Sequence, residues 1–360
     1  MTILILIILA ASAFYTPWRL KTLLGLKKIW LAQGLTFIFL AGFIATLMTG
    51  VYVTSSIGAL LYNVFGLFLM AQSYLLFVLV FAHFFHKPLT RLIPGKILGR
   101  LFLLLTVALV VYGFVQAQSF TVTHFEIKVQ NLSRPVTVMH IPDLHLGSQR
   151  GAGYLTKVLT EIEKYSPDIV IYNGDLADNN LILREEIFNL FKTVKAEQYY
   201  TTGNHEYYID TDKVLALARG AGLKVLRSEM VQTHGLQLIG LEYMNADKAA
   251  SDPHQVNNLT IEEELPKILR SRSRPTLLAH HSPVGLEYVK EGDIDVMLSG
   301  HTHGGQVFPG TLFIQLRFPY SKGLFNLGRT TLLVSQGAGT FGPWMRLGTF
   351  NEIQVVKLVP

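Results

Sequence analysis

No aspartate or glutamate occurs before Glu126, so all 25 acidic residues of this 360-residue chain lie at or beyond that position. The carboxylate-free stretch holds four apolar runs, near residues 1–17, 29–54, 57–86 and 101–117. Each is long enough, or nearly so, to cross a hydrocarbon core of roughly 30 Å at about 1.5 Å per residue. None shows the polar stripe that a helix on a soluble domain repeats every ~3.6 residues. The expectation is a four-helix transmembrane region over residues 1–118, with the lipid bilayer as its partner. The first run is the shortest, and its positive charges follow it rather than precede it, which disfavours a cleaved signal peptide. His83 and His86 close the third run beside Lys87 and read as interfacial anchors, because no acid lies in any run to relay a proton.

The distribution of charge removes the reading that a net charge of +6 first invites. Eight basic residues precede Glu126: Arg19, Lys21, Lys27, Lys28, Lys87, Arg91, Lys96 and Arg100. The remainder carries 23 basic against 25 acidic residues, so no nucleic-acid partner is expected. Both basic clusters fall in loops between alternate apolar runs, while the turn around Thr54-Ser55-Ser56 is uncharged. The positive-inside rule places the basic loops in the cytoplasm and everything after residue 118 outside it. The expected location is therefore the cytoplasmic (inner) membrane, multi-pass, with an extracytoplasmic C-terminal domain. The chain has no cysteine, which excludes disulfides and thiolate ligands and leaves the redox compartment open.

Residues 119–360 alternate strand and helix patterns, implying an α/β domain. Val136–Ile141 alternates and is β-branched, so it reads as a strand that delivers Asp143. A helical stripe follows over 154–165, a buried strand over 168–172, a helix near 183–194, and a strand over 199–202. Thr276–Ala279 and residues 295–298 are further strands. Beyond them the helical pattern fades, and short strands are expected at 312–315, 331–335 and 352–358.

Five motifs follow these elements: Asp143-Leu144-His145, Gly174-Asp175, Gly203-Asn204-His205-Glu206, His280-His281-Ser282-Pro283 and Gly300-His301-Thr302-His303. Imidazole and carboxylate ligands suit borderline divalent metals such as Mn, Fe, Zn or Co. A carboxylate after a glycine can bridge two cations, and the Asn204 amide adds a neutral ligand that limits total charge. Two metals about 3.5–4 Å apart clamp the attacking and leaving oxygens of an in-line phosphoryl displacement. His205, beside Asn204, is the natural proton donor for the leaving group.

Taken together, the motifs resemble the calcineurin-like metallophosphoesterase superfamily. Residues 300–306 (GHTHGGQ) and 141–147 (IPDLHLG) are similar to its bacterial membrane-associated phosphodiesterase branch. The resemblance covers roughly Phe125 to Val359 and does not extend to the apolar runs. It implies a four-layer αββα sandwich for 119–360. It also implies two divalent ions: one on Asp143, His145, Asp175 and His303, the other on Asp175, Asn204, His281 and His301. Asp175 bridges them and His205 acts as acid. Two departures stand out. Pro142 replaces a small residue before the first aspartate, and the fourth motif offers His280 beside His281; aligning from Pro275 to Pro283 favours His281. His124, His140, His234 and His254 read as structural or surface residues, with His140 a candidate for orienting a ligand. Gly337-Ala338-Gly339 and Gly342 read as tight turns rather than a phosphate loop. Arg346 is a candidate phosphate contact, and Tyr199, Tyr200, Tyr207 and Tyr208 suit packing as well as substrate stacking.

The function expected is a membrane-anchored dinuclear-metal phosphoesterase. It would cleave a phosphodiester, pyrophosphate or phosphomonoester bond by a metal-activated hydroxide, with lipid-linked or envelope substrates favoured by the tether. One alternative is a pyrophosphohydrolase of a lipid A precursor (a nucleotide-diacylglucosamine), whose cytosolic substrate conflicts with the topology. Another is a non-catalytic, metal-folded scaffold or receptor.

Overall fold

The computed structural model describes residues 2–25, 28–49, 55–250 and 256–360. Lys27, Thr54 and His254, with the end of the second apolar run, lie outside the described residues. The chain divides into two units: Met1–Gln118 with Gly342–Leu347, and Ser119–Phe341 with Gly348–Pro360.

The first unit is helical: α1 (Thr2–Leu24), α2 (Trp30–Thr49), α3 (Ser56–Phe84), α4 (His86–Leu92) and α5 (Gly95–Gln116). Among the described residues only α3 and α5 are long and apolar enough to cross a membrane, with a mean hydropathy of 2.2 each. The four expected spans thus become two. The first two runs are helical, but α1 has Pro17 inside it and continues through Arg19 and Lys21. Much of the side-chain environment of α1 and α2 also falls outside the described residues. Ser55 caps α3 by accepting from the Gly58 N–H at 3.1 Å, and the Tyr15 hydroxyl of α1 donates to the Leu79 carbonyl of α3. Residues 342–347 join this unit at α5: the Arg346 N–H donates to the Gly113 carbonyl at 2.9 Å, and the Trp344 ring meets Phe114 edge-on.

The second unit is built on two six-stranded mixed sheets. The first contains β1 (Phe120–Lys128), β2 (Val136–Ile141), β3 (Ile169–Asn173), β4 (Glu197–Thr201), β5 (Lys224–Val225) and β12 (Asn351–Val359), in the order β1-β12-β2-β3-β4-β5. The second contains β6 (Glu229–Thr233), β7 (Leu236–Gly240), β8 (Thr276–Ala279), β9 (Val296–Ser299), β10 (Gly323–Leu327) and β11 (Thr330–Val334), in the order β10-β11-β9-β8-β7-β6. Strand alternation explains the layering, because successive side chains point to opposite faces. Val136, Val138, Ile169 and Ile171 pack against Leu238, Leu277, Val296 and Leu298 to form the core between the sheets. Met139, Ile141, Val170 and Tyr172 face the other way, into helices α6 (Ala152–Tyr165), α7 (Glu185–Phe188) and α8 (Thr211–Gly220). Ile239, Leu278, Met297 and Leu332 cover the outer face of the second sheet together with α9 (Ile261–Glu264) and α10 (Leu286–Glu291). Strands buried on both faces read as unbroken apolar runs.

α6 forms because Leu155, Val158, Leu159 and Ile162 make one buried stripe; it stops where Ser166 turns left-handed at φ 43°. Two expectations differ from the structure. The helix over 183–194 is broken into α7 and a 3₁₀ segment, Asn189–Thr193. The strand at 312–315 is instead part of a helix, α11 (Gly310–Arg317), with no buried residue. A four-residue apolar run has no period long enough to separate the two.

Candidate metal centre

Every motif leaves the C-terminal end of a strand: Asp143 and His145 follow β2, Asp175 follows β3, Asn204 and His205 follow β4, His281 follows β8, and His301 and His303 follow β9. Strands β2, β3 and β4 run parallel in one sheet, as do β8 and β9 in the other, so all these ends lie at one edge of the sandwich. The turns are sharp. Asp143, His145, Asp175, His301 and His303 all have positive φ, between 48° and 68°, a region that L residues enter at a cost. Gly300 must lack a side chain, because a Cβ there would lie 2.2 Å from an Asp143 carboxylate oxygen.

Three groups of ligand atoms converge, each with members within 4.8 Å of one another: Asp143, His145 and His303; His145, Asp175 and His205; Asp175, His281 and His301. His145 Nε2 and His303 Nε2 are 3.0 Å apart, and His303 Nε2 is 3.2 Å from Asp143 Oδ1. His281 Nε2 lies 3.1 Å from Asp175 Oδ2, yet it has no hydrogen-bond partner. The two atoms are close but misaligned, as when both aim at a third point. Asn204 supplies a second such atom: its Nδ2 donates to the Tyr208 hydroxyl at 3.2 Å, while its buried Oδ1 has no partner. A buried acceptor left unpaired is costly unless something positive meets it. The residues fit cations.

The electrostatics point the same way. Burial alone would raise the Asp143 carboxyl, but His303 and His281 outweigh it and hold it below the usual carboxylate range. Burial alone would lower the imidazoles, but Asp175 and Asp178 push His205 up to about 10, and Asp175 and Asp143 push His281 up to about 9. The pocket attracts positive charge, and divalent ions meet that demand as protons do.

Residues 136–305 match the family model described as calcineurin-like phosphoesterase. Over these residues the chain is similar to calcineurin-like metallophosphoesterases. An uncharacterized metallophosphoesterase of Campylobacter jejuni is 31% identical over 239 residues, 65% of this chain and 62% of that protein. A zebrafish (Danio rerio) protein named as a transmembrane protein with metallophosphoesterase domain is 29% identical over 71% of this chain and 61% of its own length. An uncharacterized metallophosphoesterase of Aquifex aeolicus is 28% identical over 71% of this chain and 97% of its own. The chain thus spans about three fifths of the first two relatives.

In the second unit the structure brings His281, not His280, into the cluster. His280 Nδ1 turns back to the Ser282 carbonyl at 2.8 Å, and its ring stacks on Tyr243. The His281 Nδ1–H donates to the Asn173 carbonyl at 2.7 Å, which leaves Nε2 free to face the cluster. His140 orders that same asparagine, with Nε2 3.1 Å from Asn173 Nδ2 and Nδ1 2.8 Å from Gln354 Oε1. His124 packs on Tyr165, and His234 sits beside Arg134 and Asp168. The Gly337 turn braces the Asp143 loop: the Ala338 N–H donates to the Pro142 carbonyl and the Gly339 N–H to that of Asp143. Arg346 falls in the helical unit.

Two residues escaped the motif reading. Asp178 accepts from both His145 Nδ1 (2.5 Å) and His205 Nδ1 (2.9 Å). Burial alone would raise its carboxyl, but those two imidazoles hold it below the usual range. Glu206 accepts four backbone N–H groups, from Asp175 (3.0 Å) and Gly203 (2.7 Å) on one oxygen and from Leu176 (2.7 Å) and Ala177 (3.3 Å) on the other. It ties the Asp175 loop to the Asn204 loop. The available signal was position: Asp178 stands three residues after Asp175, and Glu206 closes its motif.

Proposed function

We propose that the second unit is a dinuclear-metal phosphoesterase that cleaves a phosphodiester, pyrophosphate or phosphomonoester. The carrying observation is the convergence of three His/Asp groups on Asp143 and Asp175, with the unpartnered Asn204 oxygen beside them. Asp143, His145 and His303 would hold one cation, Asn204, His281 and His301 the other, with Asp175 shared between them. When bound, such a pair supplies Lewis acidity toward a phosphoryl oxygen and lowers the pKa of water.

The chain's own contribution is orientation and proton transfer. Asp178 takes the Nδ1–H of His205, so Nε2 faces the pocket, 3.9 Å from Asp175 Oδ2. Charged, His205 donates its Nε2 proton to the leaving oxygen, and Asp178 stabilises the imidazolium until then. The same carboxylate fixes the His145 ring, so donor and ligand are set by one group.

Location follows from one loop and one helix. Lys87, Arg91, Lys96 and Arg100 lie in α4 and at the start of α5. With that basic end in the cytoplasm, α5 crosses outward and the metallophosphoesterase domain is extracytoplasmic, whichever way α1 and α2 lie. Lipid-linked or envelope phosphoesters are then the substrates within reach. The test is hydrolysis of bis-p-nitrophenyl phosphate by the full chain with added Mn. Turnover in the wild type, abolished in Asp175→Ala and cut sharply in His205→Ala, is expected. Turnover equal in all three refutes the assignment.

A further inference from the structure

Helix α11 is eight residues long, and none of them is buried. Leu312 is 62% exposed, Phe313 60% and Leu316 85%. At spacings of three (313 and 316) and four (312 and 316) they share one side of the helix, and Phe308, just upstream, is also exposed. Three large apolar side chains on one short helix, with a fourth just before it, are not the scattered exposure normal for a surface.

The helix is fastened to the metal centre at both ends. At its start, the Gly310 backbone packs so closely on Gly305 that a Cβ on Gly305 would lie 2.6 Å from it. Gly305 closes the short turn that begins at His303. At its end, the Phe318 ring meets the His301 ring at 5.4 Å, nearly perpendicular. Phe341, also exposed, lies over His303 and His145. The exposed apolar surface is therefore the rim of the ligand pocket.

Charge says what can cover it. No aspartate or glutamate occurs between Asp295 and Glu352, whereas Arg317 closes α11 and Lys322 follows it. The only other long stretch of this composition is residues 1–125. Apolar side chains among basic ones and without acids suit an anionic lipid surface, where the former enter the acyl boundary and the latter meet headgroups. Only residues 117–119 separate α5 from β1.

We propose that α11 is an interfacial helix that seats the rim of the metal site in a negatively charged lipid leaflet. The seat is independent of catalysis. Its consequence, that a phosphoester substrate arrives from the lipid side, rests on the phosphoesterase reading above.

The absence of cysteine makes the test clean. Leu312→Cys, Phe313→Cys, Leu316→Cys and, as reference, Arg329→Cys would each be labelled with an environment-sensitive fluorophore in the full chain. Arg329 sits between β10 and β11, at the end of β11 away from the ligands. The proteins are reconstituted in phosphatidylcholine–phosphatidylglycerol vesicles, with and without lipids carrying a doxyl quencher near the headgroup. Quenching at 312, 313 and 316 at least about twofold stronger than at 329, with blue-shifted emission, is expected for side chains in the acyl boundary. Quenching no stronger than at 329 overturns the proposal. So does blue-shifted emission without lipid quenching, which would mean that protein, such as a second copy, covers the helix. Both outcomes are read without turnover, so they leave the phosphoesterase reading to its own assay.

Discussion

Glu206→Gln is the perturbation that most directly tests how the centre is built. Both carboxylate oxygens of Glu206 act only as acceptors, two N–H groups each. An amide keeps one acceptor oxygen and turns an NH₂ toward the other pair. Whichever way it is oriented, two buried N–H groups lose their partner and meet another donor. Hydrogen bonds to charged groups contribute about 1.5–3 kcal/mol each, so the loss of two is about 3–6 kcal/mol. For a domain of this size, each kcal/mol lowers the melting temperature by about 2–4 °C, so a drop of roughly 6–24 °C is expected. The assay is thermal unfolding of the metal-free full chain in detergent, followed by near-UV circular dichroism. Glu263→Gln serves as control, because Glu263 pairs only with Lys248 on the surface, where ion pairs contribute little. A Glu206→Gln melting point within about 2 °C of wild type, or no lower than that of the control, would refute the claim that this carboxylate holds the two loops together.

Asp178→Asn should lower both Mn affinity and turnover by about 10–100-fold, the usual effect of removing a carboxylate behind a ligand histidine; unchanged values for both would show that Asp178 is incidental. His281→Ala should lose bound metal while His280→Ala keeps it, measured by elemental analysis after dialysis, and the opposite result would exchange the two assignments. His140 predicts an acid sensitivity. Burial pushes its imidazole down to about 4, against about 6.5 when unfolded, so the unfolded chain takes up the proton first as pH falls. Stability should decline from pH 6.5 toward 4 by up to about 3 kcal/mol and no further below. His140→Gln should flatten melting temperature against pH in that window, and parallel curves for variant and wild type would contradict the account.

The clustered His and Asp residues were legible because they are local. A strand ends, a glycine or proline turns the chain, and a His or Asp follows within two or three residues, as at Asp143 and His301. The strands that carry them were legible because burial on both faces leaves apolar runs such as 169–172. What the sequence concealed depends on distant parts of the chain. β12 lies between β1 and β2, pairing Gln354 with His140 across the whole domain, and no local pattern announces that order. The double role of Asp178 exists only once β2, β3 and β4 place three loops together. α11 was misread because its apolar residues are not inward-facing at all, so the usual link between hydrophobicity and burial gave the wrong element. The number of spans was overcounted because apolar length alone took in α1, which is interrupted by Pro17.

The left-handed backbone at five of the proposed ligand positions bears on how such a domain can change over time. A non-glycine residue held in that region costs on the order of 1–3 kcal/mol, less for Asp and His than for bulkier types. Each of these five sites would relax if its side chain were exchanged for glycine, and each exchange would delete a proposed ligand. A chain that no longer needed its metals would therefore gain stability by drifting toward glycine at 143, 145, 175, 301 or 303. The present chain has taken none of those steps. The same five positions tell a protein engineer where a sturdier, metal-free version of the scaffold could begin.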